Sequence, residues 1–208
     1  KIIHNFSKET NLIKDIAYNN EFTHKKISNT VNCLKEISNK IKSYNVGHYR
    51  CIATEACRQV INPDFFLLEV KEKTGLNVEI ISSFEEGRLS FKGCFEYHNK
   101  FKGEGLIFDI GGGSTEITFF NSGSSQFYTK SISFGVINLS EKKEIFGVDA
   151  INKKIKNYFN EIKNNISTKK NYSAIGSCST ITSICAVYLG AKIIEKHLTL
   201  SKKMEGPD

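Results

Sequence analysis

The chain contains no run of about 18 apolar residues, so no segment of it reads as a membrane-spanning helix. Its first residues, Lys1-Ile2-Ile3-His4-Asn5, lack the charged, apolar and small-residue succession of a secretory signal. These absences leave no membrane partner and make the cytoplasm the expected address. The six cysteines, Cys33, Cys51, Cys57, Cys94, Cys178 and Cys185, include no C-x-x-C pair. Most fall inside apolar patterns, so they are expected to be reduced and buried rather than bridged or bound to zinc. Arginine is scarce: Arg50, Arg58 and Arg88 are the only ones among 29 basic residues.

What is present is an ordinary globular composition. With 208 residues and 39% apolar content, the chain can bury one large core or two small ones, and disorder is excluded. The net charge of +7 suits a nucleotide, a polyphosphate or a nucleic acid equally. The lysines, however, are scattered among Asn and Ile and form no stripe, so no nucleic-acid partner is expected. The three arginines all lie between positions 50 and 88, and the planar guanidinium fork suits phosphate oxygens.

Apolar residues at Ile27, Val31, Leu34, Ile37 and Ile41 recur at helical spacing and predict a helix over 23–43. A strand is expected over 48–53, then a loop and a short helix carrying Arg58. Asn62 and Pro63 open a helix that Gly75 closes. Residues 78–81 read as a strand, and Ser83 with Glu86 reads as a capping box for a helix reaching about residue 97. The polar connector 99–105 is the expected domain boundary, giving domains 1–102 and 103–208. Beyond it, strands are predicted at 106–110, 115–120 and 126–132, helices at 136–145 and 148–166, and a strand at 172–175. That strand feeds the small-residue loop 176–180 and a helix through 188. The loop is a second candidate anion contact, although Ser and Thr there are also ordinary helix caps.

The most informative segment is Asp109-Ile110-Gly111-Gly112-Gly113-Ser114-Thr115-Glu116. Three consecutive glycines tolerate φ > 0 and carry no Cβ, so backbone amides can converge on an anion. Asp109 and Glu116 stand at the rims, where a divalent cation would be held. Gly-Gly followed by Ser is also a common hairpin turn; the acid at each end and the Ser-Thr within are what point to phosphate.

Taken with Ala53-Thr54-Glu55-Ala56-Cys57-Arg58, Glu85-Glu86-Gly87-Arg88-Leu89 and Gly135-Val136-Ile137-Asn138-Leu139, this segment is similar to the exopolyphosphatase and guanosine pentaphosphate phosphatase family. The resemblance covers nearly the whole chain. It implies an α/β fold of two ribonuclease-H-like domains, as in the actin, hexokinase and sugar-kinase superfamily. It also implies release of terminal orthophosphate from polyphosphate or guanosine pentaphosphate with Mg2+ as cofactor. Glu86 resembles the family's general base, with Glu85 left open for the same role, and Arg58 resembles its phosphate-contacting arginine. Asp109 and Glu116 resemble the acids that hold magnesium. Gly111, Gly112, Gly113, Ser114 and Thr115 resemble the phosphate cradle.

The sequence also departs from that family. A first phosphate loop of Asp-Ile-Gly-Ser-Asn-Ser type has no counterpart from Lys1 onward, and family members continue beyond the strand near 196–201. Both domains are therefore expected to be incomplete. Ser179 stands where a second glycine is usual. Two other classes stay open: an ATP-using kinase or chaperone-like ATPase of the same superfamily, and a non-catalytic domain that binds polyphosphate or an alarmone. A monomer and a homodimer are equally open.

Overall fold

A computed structural model describes residues 4–61, 63–94, 103–121, 127–164, 173–178 and 193–195. The described chain packs as two compact units that meet between Ile81 and Ser82. The expected boundary lay at the 99–105 connector; the helix just before that connector packs instead with the second unit.

The first unit contains α1 (Ile16–Asn19), α2 (His24–Ser43), β1 (Cys51–Ala53), α3 (Glu55–Gln59), α4 (Asp64–Thr74) and β2 (Val78–Ile80). Thr23 caps α2, its side chain accepting from the Lys26 amide. The apolar stripe of α2 buries Ile27 and Val31 against Cys57, Phe66, Val70 and Leu76. Ser38 donates to the Thr74 carbonyl at 2.7 Å and pins α2 to α4. Gly75 ends α4 at φ 75°, its amide returning to the Lys71 carbonyl, as the sequence indicates. Strands β1 and β2 pair in parallel with Cys51 opposite Val78. The strand expected over 48–53 is only Cys51–Ala53, because its partner offers three residues to pair with. The Asn62 cap lies outside the described residues.

The second unit contains α5 (Ser83–Gly93), β3 (Glu104–Ile110), β4 (Thr115–Asn121), β5 (Phe127–Ile132), α6 (Asn138–Phe146), α7 (Val148–Asn164), β6 (Ser173–Cys178) and β7 (Ile193–Glu195). Its sheet runs β5-β4-β3-β6-β7. The β3–β4 and β4–β5 pairs are antiparallel, while β3–β6 and β6–β7 are parallel. Only β4 therefore opposes the rest, the ribonuclease-H-like arrangement of three meandering strands followed by crossover strands.

The alternation along β3 and β4 sends residues to opposite faces. Ile107, Phe120 and Ile175 lie with Cys94 and Phe91 of α5 on one face. Ile117 lies with Tyr158 and Ile162 of α7 on the other. Ile107, Ile117 and Ile175 are at most 1% exposed, and each such side chain stabilises the fold by roughly 1.5–3 kcal/mol.

The sixth strand differs from expectation. Its pairing with β3 carries Gly176, Ser177 and Cys178 into the ladder, so three of the five residues of the expected 176–180 loop are strand. The remainder of that loop, the helix through 188 and the strand near 196–201 fall outside the described residues, while α5, expected to reach about residue 97, ends at Gly93 with Cys94 as its cap.

Candidate active site

The register of the sheet builds the site. Asp109 sits opposite Glu116 on β3 and β4, Glu116 opposite Ser131 on β5, and Asp109 opposite Ser177 on β6. Cross-strand partners share a face, so Asp109, Glu116 and Ser131 form one polar row at the end of the sheet where the triglycine loop turns. Two carboxylates directly opposite one another repel, and a folded protein keeps such a pair only when something else offsets it.

Hydroxyls provide part of that offset. Ser131 donates to Glu116 Oε1 at 2.7 Å, and Ser90 of α5 donates to Asp109 Oδ2. Glu116 is 2% exposed. Burial pushes its carboxyl up to about 7; the Ser131 and Ser114 hydroxyls oppose the rise, and the charges of Glu86 and Asp109 add to it. Glu116 therefore feels the charges of both Glu86 and Asp109 within a single unit. Ser114, itself buried, directs its hydroxyl to Glu116. Thr115 donates to the Phe134 carbonyl at 2.6 Å and ties β4 to the segment after β5.

Helix α5 brings Glu86 to this row. Its N-cap is Ser82, whose side chain accepts from the Glu85 amide at 3.2 Å. The expected capping box of Ser83 with Glu86 is therefore displaced by one residue, because the backbone is still extended at Ser82. The consequence separates the two glutamates. Glu85 sits at the third helical position and is held by Arg88, Nη2 donating to Oε1 at 2.6 Å and Nε to Oε2. Glu86 lies one helical turn before Ser90, so both face the sheet. Gly87 makes the approach possible: a Cβ there would stand 2.4 Å from Thr129 Cγ2 and Oγ1.

The arginines are organised by carboxylates. Arg50 grips Glu79 with two bonds of 2.9 Å, and Arg88 grips Glu85. Arg58 belongs to the first unit. Its Nε and Nη2 reach Glu55 Oε2 at 3.0 and 2.8 Å, and its Nη1 reaches the Ile81 carbonyl at 2.8 Å. Glu55 is 7% exposed, so Arg58 also neutralises a buried charge.

The second unit thus assembles Glu86, Asp109, Gly111, Gly112, Gly113, Ser114, Thr115 and Glu116, while Arg58 lies on the first. The glycines serve differently from expectation. Positive φ occurs at Gly75, Gly103 and Gly147, outside the loop, and the close approach of backbone to the loop is made at Gly135. Sequence reading did not single out Ser90, Ser131 or Asn138 as functional. The first two were accessible by counting four residues on from Glu86 and by pairing the 115–120 and 126–132 strands.

Among the described residues, no three His, Cys, Asp or Glu side chains form a metal-binding cluster by themselves. A magnesium ion does not require one. It retains several waters and takes one or two carboxylates together with substrate phosphates. A buried Glu116 flanked by Asp109 and by neutral oxygen donors is a set that fits it.

Comparison with known proteins shows what the chain is similar to. A bifunctional 3-dehydroquinate synthase/phosphatase of Fusobacterium nucleatum is 31% identical over 199 residues, covering 86% of this chain and 29% of that protein. A guanosine-5'-triphosphate,3'-diphosphate pyrophosphatase of Aliivibrio fischeri is 26% identical over 134 residues, covering 64% of this chain and 27% of its own length. A crystal structure of the Ppx/GppA family member of Aquifex aeolicus superposes with a TM-score of 0.61 at 29% identity, covering 87% of this chain and 59% of that one. The chain spans less than a third of the first two relatives and about 60% of the solved one. Residues 1–204 match the Ppx/GppA phosphatase family, and the chain belongs to that family.

Proposed function

We propose that the protein is a phosphohydrolase that releases terminal orthophosphate from inorganic polyphosphate or guanosine pentaphosphate by magnesium-assisted attack of water. The observation that carries this reading is the pairing of Asp109 with Glu116 beside a side-chain-free loop, with Glu86 close enough to raise the Glu116 carboxyl. Glu86 is the general base. It orients a water, takes its proton as the oxygen attacks phosphorus, and the bond from phosphorus to the bridging oxygen breaks, leaving orthophosphate and a chain shorter by one phosphate. The amides of Gly112, Gly113 and Ser114 cradle the phosphoryl oxygens, while the Gly111 amide closes the loop on Ser114 O. Asp109 and Glu116 would hold Mg2+, which when bound supplies positive charge to the phosphate oxygens. Arg58 is the proposed phosphate-contacting arginine of the first unit, its fork kept in place by Glu55. The proposed location is the cytoplasm; among the described residues no helix is long and apolar enough to cross a membrane.

The test is orthophosphate release by the full-length protein from polyphosphate, guanosine pentaphosphate and ATP, each with magnesium and with excess chelator. Release from either of the first two, lost in chelator, is expected. Release from ATP alone would favour the kinase or ATPase reading, and unchanged release in chelator would remove Asp109 and Glu116 from the site.

A further inference from the structure

All three carbonyls of the triglycine loop are engaged by one short segment. The Val136 amide donates to Gly111 O at 3.0 Å, and the Ile137 amide donates to Gly112 O at 2.9 Å. The Asn138 side-chain amide donates to Gly113 O at 2.9 Å. Asn138 is 1% exposed, and its Oδ1 in turn accepts from the Gly135 amide at 2.9 Å, so the side chain locks the segment that locks the loop. The contact is too close for any side chain at position 135. A Cβ on Gly135 would lie 2.4 Å from Gly112 C and Gly113 N and 2.5 Å from Gly111 O.

Peptide planarity gives this contact a consequence. In a trans peptide the carbonyl and the following N–H point in opposite directions, and no peptide bond among the described residues is cis. Fixing the carbonyls of Gly111, Gly112 and Gly113 toward the 135–138 segment therefore turns the amides of Gly112, Gly113 and Ser114 away from it. Those of Gly112 and Gly113 meet no acceptor among the described residues. The Gly111 amide, which precedes the fixed carbonyls, closes the loop on Ser114 O at 2.9 Å.

We propose that Asn138 is a positioning residue: with Gly135 it holds the peptide planes of the triglycine loop so that successive amides are aimed at a bound phosphate before it arrives. Donors fixed in advance cost no reorganisation when charge develops, which is where such donors contribute most. The proposal rests on the reading that this loop binds phosphate.

The probe is inorganic tripolyphosphate, titrated into the full chain and followed through the backbone amide resonances of Gly112 and Gly113. Three variants accompany the wild type. Asn138→Ala removes the bonds to Gly113 and Gly135 and the longer one, 3.5 Å, to Ser133 O. Asn138→Asp keeps the acceptor for Gly135 and removes the donor to Gly113 and Ser133, so it tests the same point if the alanine variant does not fold. Ile162→Ala, in the core beneath the opposite face of the sheet, lowers stability without touching the loop. The wild-type glycine amides are expected to shift on titration. Affinity is expected to fall by roughly 10-fold or more in both Asn138 variants and to hold in Ile162→Ala despite its lower melting temperature. Wild-type glycine amides that ignore tripolyphosphate would overturn the phosphate reading of the loop and the proposal with it. Shifts and affinity unchanged in a folded Asn138 variant would overturn the proposal and leave that reading standing. An equal loss of affinity in Ile162→Ala would reduce Asn138 to a structural role and overturn it as well.

Discussion

Replacing Glu116 by Gln should make the metal-free protein more stable while disabling it. The carboxyl is 2% exposed and raised from 4.5 to about 7, chiefly by burial. A carboxyl that binds its proton more tightly in the folded than in the unfolded chain loses stability as pH rises. The loss begins near 4.5, where the unfolded group ionises, and is complete above about 7. The full loss corresponds to about 3 kcal/mol. Gln retains an oxygen to accept from Ser131 and carries no charge for Glu86 and Asp109 to repel. In chelator near pH 8.5 the variant should therefore gain about 2–3 kcal/mol, or roughly 4–12 °C in melting temperature. Near pH 5 the advantage should shrink to under about 1 kcal/mol, because most of the loss has yet to occur. Magnesium should narrow the gap by stabilising wild type alone. Thermal melts of both proteins at the two pH values, with and without chelator, measure all of this. A variant less stable than wild type near pH 8.5 in chelator would show that the buried Glu116 charge does not destabilise the fold.

Two further outcomes follow from the packing. Gly87→Ala should cost about 1–3 kcal/mol and lower turnover, since its Cβ would meet Thr129 at 2.4 Å; adding Thr129→Ala should restore part of both in a denaturation and rate series. Cys57 is 3% exposed, and burial raises its thiol to about 11, so alkylation of the native chain at pH 8 should spare it and alkylation after denaturation should not.

Much of the candidate site was legible because the residues proposed for it are local in sequence. The segment from Asp109 to Glu116 carries both acids and the loop on one hairpin, and hairpin pairing alone sets the acids opposite one another. Glu86 was legible as a candidate base through its neighbours, while the difference in setting between it and Glu85 was not. That difference turns on whether the helix begins at Ser82 or Ser83, a matter of one residue's backbone that the two adjacent serines conceal. Asn138 was hidden for another reason. Its partners at Gly113 and Gly135 are contacts between backbone and side chain across 25 and 3 residues, and nothing in an Asn by itself announces such a pair. The arginines show the limit of composition. A fork suited to phosphate suits a carboxylate equally, and Arg50, Arg58 and Arg88 each engage a glutamate. The β6 boundary was missed because Gly-Ser-Cys is weak strand sequence, held in the ladder by its pairing with β3.

Glu86 is proposed to activate water at a site built by Asp109, Glu116 and the triglycine loop, and the decisive comparison is the Glu86→Gln rate beside the Glu85→Gln rate. With magnesium and the better of the two proposed substrates, Glu86→Gln should lower kcat by about 10²–10⁴ while leaving substrate affinity nearly intact. Glu85→Gln, which only loosens the Arg88 pair, should change kcat by less than about tenfold. Full turnover in Glu86→Gln, or the larger loss in Glu85→Gln, would contradict the account.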